Sequence, residues 1–140
     1  MPMDTNETRS SALQPGRIGT ATLIVGEQHT APKLGSGRAP VFASPAMVAL
    51  IEAAAVACVE DQLPEGQETL GIHLDVEHIA ATPAGFEVTA TAELIEVAGR
   101  KLVFKVEARD ARELIGRGRH TRIIADSARF RAKVAAKLQN

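Results

Sequence analysis

Apolar and polar positions alternate with two different periods along this chain. From Ala46 to Val59 the residues run Ala-Met-Val-Ala-Leu-Ile-Glu-Ala-Ala-Ala-Val-Ala-Cys-Val, apolar on nearly every side of a helix. That pattern predicts a helix buried all round rather than one lying on a surface. Ser44-Pro45 is a favoured start: a serine hydroxyl can cap free N–H groups, and proline at the first helical position loses no hydrogen bond. Glu60-Asp61 and Pro64-Glu65-Gly66 end the helix.

The segments that follow alternate with period two, as strands with one face in a core do. Residues 69–79 place Leu70, Ile72, Leu74, Val76 and His78 on one face. Residues 86–97 do the same with Phe86, Val88, Ala90, Ala92 and Leu94, and residues 101–109 with Leu102, Phe104, Val106 and Ala108. A last strand, 114–125, carries Gly116 and Gly118, and two glycines so placed signal close backbone approach. Turns fall at Thr82–Gly85, Ala98–Arg100 and Asp110–Glu113. Ahead of the helix, residues 17–27 have strand character, and Ala31–Pro40 reads as loop, long enough for a lid. A final helix over about 127–138 shows Phe130, Val134 and Leu138 at spacing four.

The prediction is therefore an α+β fold: one long buried helix wrapped by a curved antiparallel sheet of about five strands. Residues 1–16 read as a flexible tail and 17–140 as a single domain. Such a sheet leaves an edge and an open side, which a second copy would cover, so a homodimer is expected, able to pair further as a dimer of dimers.

Composition removes several function classes. The 140 residues include four Phe and no Trp or Tyr, leaving few stacking platforms for bases. The single cysteine, Cys58, excludes an internal disulfide and a cysteine-based zinc site, and its apolar neighbours make it a small core residue. The first residues lack a signal peptide's apolar segment, and no apolar run spans a bilayer, so a cytoplasmic protein without membrane contact is expected. Charge is uneven: residues 1–97 hold 4 basic and 13 acidic side chains, and residues 98–140 hold 12 basic and 4 acidic. A basic C-terminal part suits phosphates, whereas the acidic remainder argues against a nucleic-acid partner. Mutual neutralisation within the fold explains the asymmetry equally well.

Three residues could carry chemistry. Glu52 is the only charged residue between Arg38 and Glu60, and a carboxylate among apolar side chains is costly unless paired. It either reaches a functional partner or lies on a narrow exposed stripe. His78 extends the inward phase of its strand, as a satisfied core histidine or as a base beside the Glu52 carboxylate. Ser44 is fully explained as a cap, yet it shares a helix side with Glu52, about 12 Å away along the axis. A thioester lying along the groove could bridge that gap. Arg117, Arg119 and Arg122 offer either phosphate contacts or a solvated basic edge. His73 and Asp75 lack the further ligands a metal would need, and His29 and His120 remain unassigned. No phosphate-binding loop, zinc-protease helix or nucleophile elbow is present.

Three segments resemble the bacterial fluoroacetyl-CoA thioesterase family: Val41-Phe-Ala-Ser-Pro-Ala-Met-Val-Ala-Leu-Ile-Glu52, Glu77-His-Ile-Ala-Ala-Thr-Pro-Ala-Gly85, and Gly116-x-Gly-x-His-x-Arg122. The resemblance runs from about residue 16 to 135. It implies a hot-dog fold, a dimer, and hydrolysis of an acyl-CoA substrate without metal or cofactor. It also implies a catalytic hydroxyl at Ser44 (threonine in the fluoroacetyl enzyme), glutamate at Glu52, histidine at His78, and substrate contacts at Gly71 and Arg122. The lid departs from the family: Leu34-Gly-Ser-Gly-Arg38 has no aromatic where that enzyme uses phenylalanines, so fluoroacetyl selectivity does not carry over. The expected function is a thioesterase for a short or medium acyl-CoA. The alternatives are a non-catalytic acyl-CoA sensing module and a hot-dog enoyl-CoA hydratase.

Overall fold

The computed structural model describes residues 13–139. Its elements are β1 (Ile18–Ile24), a 3-10 turn (Glu27–His29), α1 (Ala31–Leu34), α2 (Ser44–Val59), β2 (Gln67–His78), β3 (Glu87–Ala98), β4 (Lys101–Arg109), β5 (Leu114–Asp126) and α3 (Ser127–Ala135). The strands form one antiparallel sheet in the order β1-β3-β4-β5-β2, packed on α2. This is the α+β arrangement expected. Val88, Ala90, Ala92, Leu94, Leu102, Phe104, Val106 and Ala108 point inward and are fully buried against Met47, Ile51, Ala54, Ala55 and Val59. Small alanines on both the sheet and the helix let the two surfaces approach closely.

Several expectations change in detail. The segment read as loop contains a single helical turn, α1, which ends at Gly35 in the left-handed conformation; the open loop is residues 35–40. The tail expected over residues 1–16 falls mainly on 1–12, outside the described residues. Leu13 is buried, and the Gly16 N–H donates to the Leu94 carbonyl.

The α2 helix is not buried all round. Ser44, Pro45, Ala49, Ala53 and Ala57 are exposed, and Val48, Glu52 and Val56 are half-buried, so an open stripe of small side chains runs its length. Hydrophobicity alone could not tell a covered face from one awaiting a partner. The sheet covers only the other side.

On β2, Leu74, Val76 and His78 keep the phase of His120, Gly118 and Gly116 on β5, although Leu74 is exposed, and the alternation fails for Leu70 and Ile72. A bulge between Gly71 and His73 inserts one residue against β5, where Gly71 pairs with Arg122 and His73 with Thr121. An extra residue in a period-two pattern reverses the faces before it. Thr69 and Gly71 therefore face inward, and Thr69 is buried, while Ile72 is 57% exposed. Close approach occurs where the glycines predicted it. At Gly118, with φ of 156°, a side chain would collide with the Asp75 carbonyl on β2; at Gly116 it would meet the Met47 sulfur.

The α3 helix is capped by Asp126, whose carboxylate accepts from the Arg129 N–H, but its apolar ridge is not buried: Val134 and Leu138 are exposed. No helix among the described residues is long and apolar enough to cross a membrane.

Candidate active site

Ser44 does not cap α2. Ala43 occupies the cap position, and Ser44 and Pro45 form the start of the first turn. The serine hydroxyl is thereby freed, and it lies 2.7 Å from His78 Nδ1. The Ala43 N–H is already bonded to the His29 carbonyl, and Pro45 has no N–H. The N–H groups of Ser44 and Ala46 thus remain at the helix end without intrahelical partners. His78 Nε2 is buried and has no hydrogen-bond partner among the described residues. Burial pushes the imidazole below its ordinary pKa, partly offset by the Ala80 backbone. A neutral imidazole beside a hydroxyl is the arrangement that can take the hydroxyl proton.

Ser44 and His78 line a cavity of about 380 Å³ that is also lined by the loop segment Ser36-Gly37-Arg38-Ala39. Phe42, Val41 and Ala80 add apolar surface. The long glycine-containing connection therefore lines the same cavity as the serine–histidine pair.

Glu52 lies elsewhere. Its carboxylate accepts from Arg122 Nη1 at 3.1 Å and is 3.9 Å from His120 Nε2. Arg122 is buried and also donates through Nε to Thr69 Oγ1 at 2.8 Å, through Nη2 to the Thr69 carbonyl at 2.9 Å, and through Nη1 to His120 Nε2 at 3.1 Å. Thr69 in turn donates to Glu60 at 2.9 Å. The guanidinium is thus directed inward, away from the surface where nucleotide phosphates would lie. Arg117 and Arg119 are exposed on the outer face of β5 instead, Arg117 within 3.8 Å of Glu77.

Gly71 leaves room for this cluster. A Cβ there would lie 2.6 Å from Glu52 Oε2 and about as close to His120 and Arg122 as side chains ever come, at 3.1 and 3.2 Å.

His120 is the residue that sequence reading missed. It is fully buried, stacks on Phe104 with ring centroids 6.2 Å apart, and faces the His73 carbonyl through Nδ1 at 2.8 Å. A guanidinium can only donate, so Nε2 must accept from Arg122, and the ring proton must sit on Nδ1 and donate to His73. His120 is therefore neutral. Burial pushes its pKa down, Arg122 and His73 add to that, and the His73 carbonyl and Glu52 oppose it. The signal was available: His120 shares the inward phase of Gly116, Gly118 and Arg122 on one strand.

The structure therefore brings Ser44 together with His78, and Glu52 together with Arg122 and Gly71. It does not join the two groups within one chain. The expected orientation of His78 by Glu52 has no counterpart here, because eight residues of helix separate Ser44 from Glu52.

Comparison with known proteins shows what this arrangement is similar to. Residues 25–128 match the family described as fluoroacetyl-CoA-specific thioesterase. A fluoroacetyl-CoA thioesterase of Streptantibioticus cattleyicolor is 44% identical over 97 residues, covering 69% of this chain and 70% of that protein. A solved structure of the fluoroacetyl-CoA thioesterase superposes with a TM-score of 0.85 at 37% identity, over 89% of this chain and 96% of the other. A Thermus thermophilus hypothetical protein, a thioesterase superfamily member, gives 0.83 at 26% identity, over 91% and 94%.

Proposed function

Because the chain belongs to the fluoroacetyl-CoA-specific thioesterase family, we propose that it hydrolyses the thioester of a short or medium acyl-CoA, with Ser44, His78 and Glu52 carrying the reaction. The observation that carries the residue assignment is the 2.7 Å contact between Ser44 and His78 on the wall of a cavity.

His78 Nδ1 takes the Ser44 hydroxyl proton, or that of a water beside it, as the oxygen attacks the thioester carbonyl. Where Ser44 attacks, a water activated by the same imidazole then cleaves the acyl ester, releasing the acid and restoring the hydroxyl. The Ser44 and Ala46 N–H groups and the positive end of α2 stabilise the oxygen that becomes negative. The thiolate of coenzyme A leaves with the proton held by His78. Glu52, fixed by Arg122, presents its half-buried carboxylate along the same groove, and Gly71 keeps the space in front of it clear.

A homodimer makes the two groups one site. Ile72 and Leu74 are exposed on edge strand β2, and α2 carries an open stripe of alanines, apolar surface that a second copy would cover. Antiparallel pairing of two β2 edges reverses residue order along the seam. The Gly71 and Glu52 end of one copy then lies toward the His78 end of the other. A cytoplasmic location suits an enzyme of coenzyme A esters.

The test is thiol release from a panel of acyl-CoAs, from acetyl to aromatic. Hydrolysis that falls at least 10²-fold, an order-of-magnitude expectation, in a folded His78→Ala variant supports the reading. Binding of acyl-CoA with no thiol released from any member points to a sensing module. Hydration of an enoyl-CoA with the thioester intact points to a hydratase.

A further inference from the structure

The cavity that holds Ser44 and His78 has one feature that hydrolysis of a simple acyl group does not use. Apart from His78, Arg38 is the only ionisable side chain on its wall among the described residues. No carboxylate lines it. Arg38 makes no ion pair or side-chain hydrogen bond among the described residues; Arg112, Arg119 and Arg129 share that state, but none of them lines this cavity. The segment that carries it is ordered by backbone hydrogen bonds on both sides, from the Ser36 N–H to Ala31 and from the Val41 N–H to Ala39. An unpaired guanidinium on the wall of the cavity that holds a catalytic pair, with no acid among its described lining residues, favours an anion there. The planar fork of arginine matches a carboxylate with two parallel hydrogen bonds.

Coenzyme A carries anions too, but its phosphates stand at the far end of the pantetheine arm, which is longer than a 380 Å³ cavity is wide. A group that shares this cavity with the reacting carbonyl belongs to the acyl part. We propose that Arg38 is a specificity-determining residue that recognises a carboxylate at the end of a short acyl chain, so that the preferred substrate is the thioester of a dicarboxylic acid. This rests on the thioesterase reading above and names its substrate class.

The test compares glutaryl with valeryl thioesters, equal in carbon number and different in charge, on coenzyme A and on N-acetylcysteamine, which has no phosphate. The quantity read is the ratio of kcat/KM for the charged over the neutral acyl group. The wild-type ratio should exceed one on both carriers, fall about tenfold in Arg38→Gln, a loss of the size expected for one charge-assisted contact, and fall further in Arg38→Glu. The exposed position of Arg38 makes misfolding of these variants no obstacle.

An unchanged ratio in both variants would overturn the proposal. So would a loss confined to the coenzyme A thioesters and equal for both acyl groups, which would place Arg38 on a phosphate. Wild-type protein that hydrolyses none of the four would instead sink the thioesterase reading. In that event calorimetric binding of glutaryl- and valeryl-CoA to wild type and Arg38→Gln still decides the role of Arg38.

Discussion

The two ends of the open stripe on α2 solve opposite problems. At the N-terminal end, Ser44 is exposed on a cavity wall, and His78 Nε2 has no partner among the described residues. Nearly every group there has bonding capacity to spare. Two turns on, Glu52, Arg122, His120, Thr69 and Glu60 bind one another, with each buried polar group matched to a donor or acceptor. An incomplete cluster is where a substrate can be bound and changed. A complete one holds a charge in a fixed place, because breaking any member leaves a buried polar group unpaired. The pair is built for reaction and the network for position.

The largest effect expected from this contrast comes from separating the ends genetically. Glu52→Gln and His78→Ala should each lose turnover by roughly 10²-fold or more as pure proteins. If the network of one copy serves the pair of another, unfolding the two variants together and refolding them as mixed dimers restores activity, since each mixed dimer holds one intact site. Restoration above the sum of the separate proteins is the expected result. A mixture no better than its parts, in dimers shown to have exchanged, would confine Glu52 to its own chain.

A smaller effect should follow from disturbing the network without removing a member. In Gly71→Ala the new methyl must push the Glu52 carboxylate away from its 3.1 Å contact with Arg122. Misplacing a group by about 1 Å can cost up to 10²-fold in rate, so a loss of about tenfold in kcat/KM is expected with little change in melting temperature. An equally active Gly71→Ala protein would show that Glu52 position is not limiting.

How far the sequence foretold these two regions differs for physical reasons. The alternating segments, the long apolar helix and the inward faces of β3 and β4 were legible because one buried face forces period two, whereas the pairing of β2 with β5 was not. The reactive pair was half legible: Ser44 at a helix start has a sufficient role as a cap, and only the backbone shows Ala43 taking that role. The β2 bulge hid the phase of Leu70 and Ile72, since a single inserted residue leaves no mark in composition. The network was least legible. Glu52 stood out as a lone charge, but His120 and Thr69 are ordinary strand residues until pairing of β2 with β5 sets them beside Arg122.

The smallest effect is one of pH, and it separates the two histidines. Burial depresses the pKa of both His78 and His120. In the unfolded chain both take a proton near the ordinary value of about 6.5. Below that pH the unfolded state binds protons that the folded state refuses, so folding stability is complete above it and declines as pH falls toward the folded values. The depressed carboxylates of Glu68 and Asp110 contribute only at lower pH, near the ordinary carboxylate range. Melting temperature should therefore fall between neutral pH and about pH 5. His120 faces Arg122, Glu52 and His73, and a proton on its Nε2 would oppose the guanidinium; within one chain His78 meets Ser44 and the Ala80 backbone among the described residues. Replacing His120 with Gln, which can still accept from Arg122, should flatten the pH slope of stability and leave the acid limb of kcat/KM below about 6.5, where His78 sets it. An acid limb that moved with His120→Gln would transfer the base role from the reactive pair to the network.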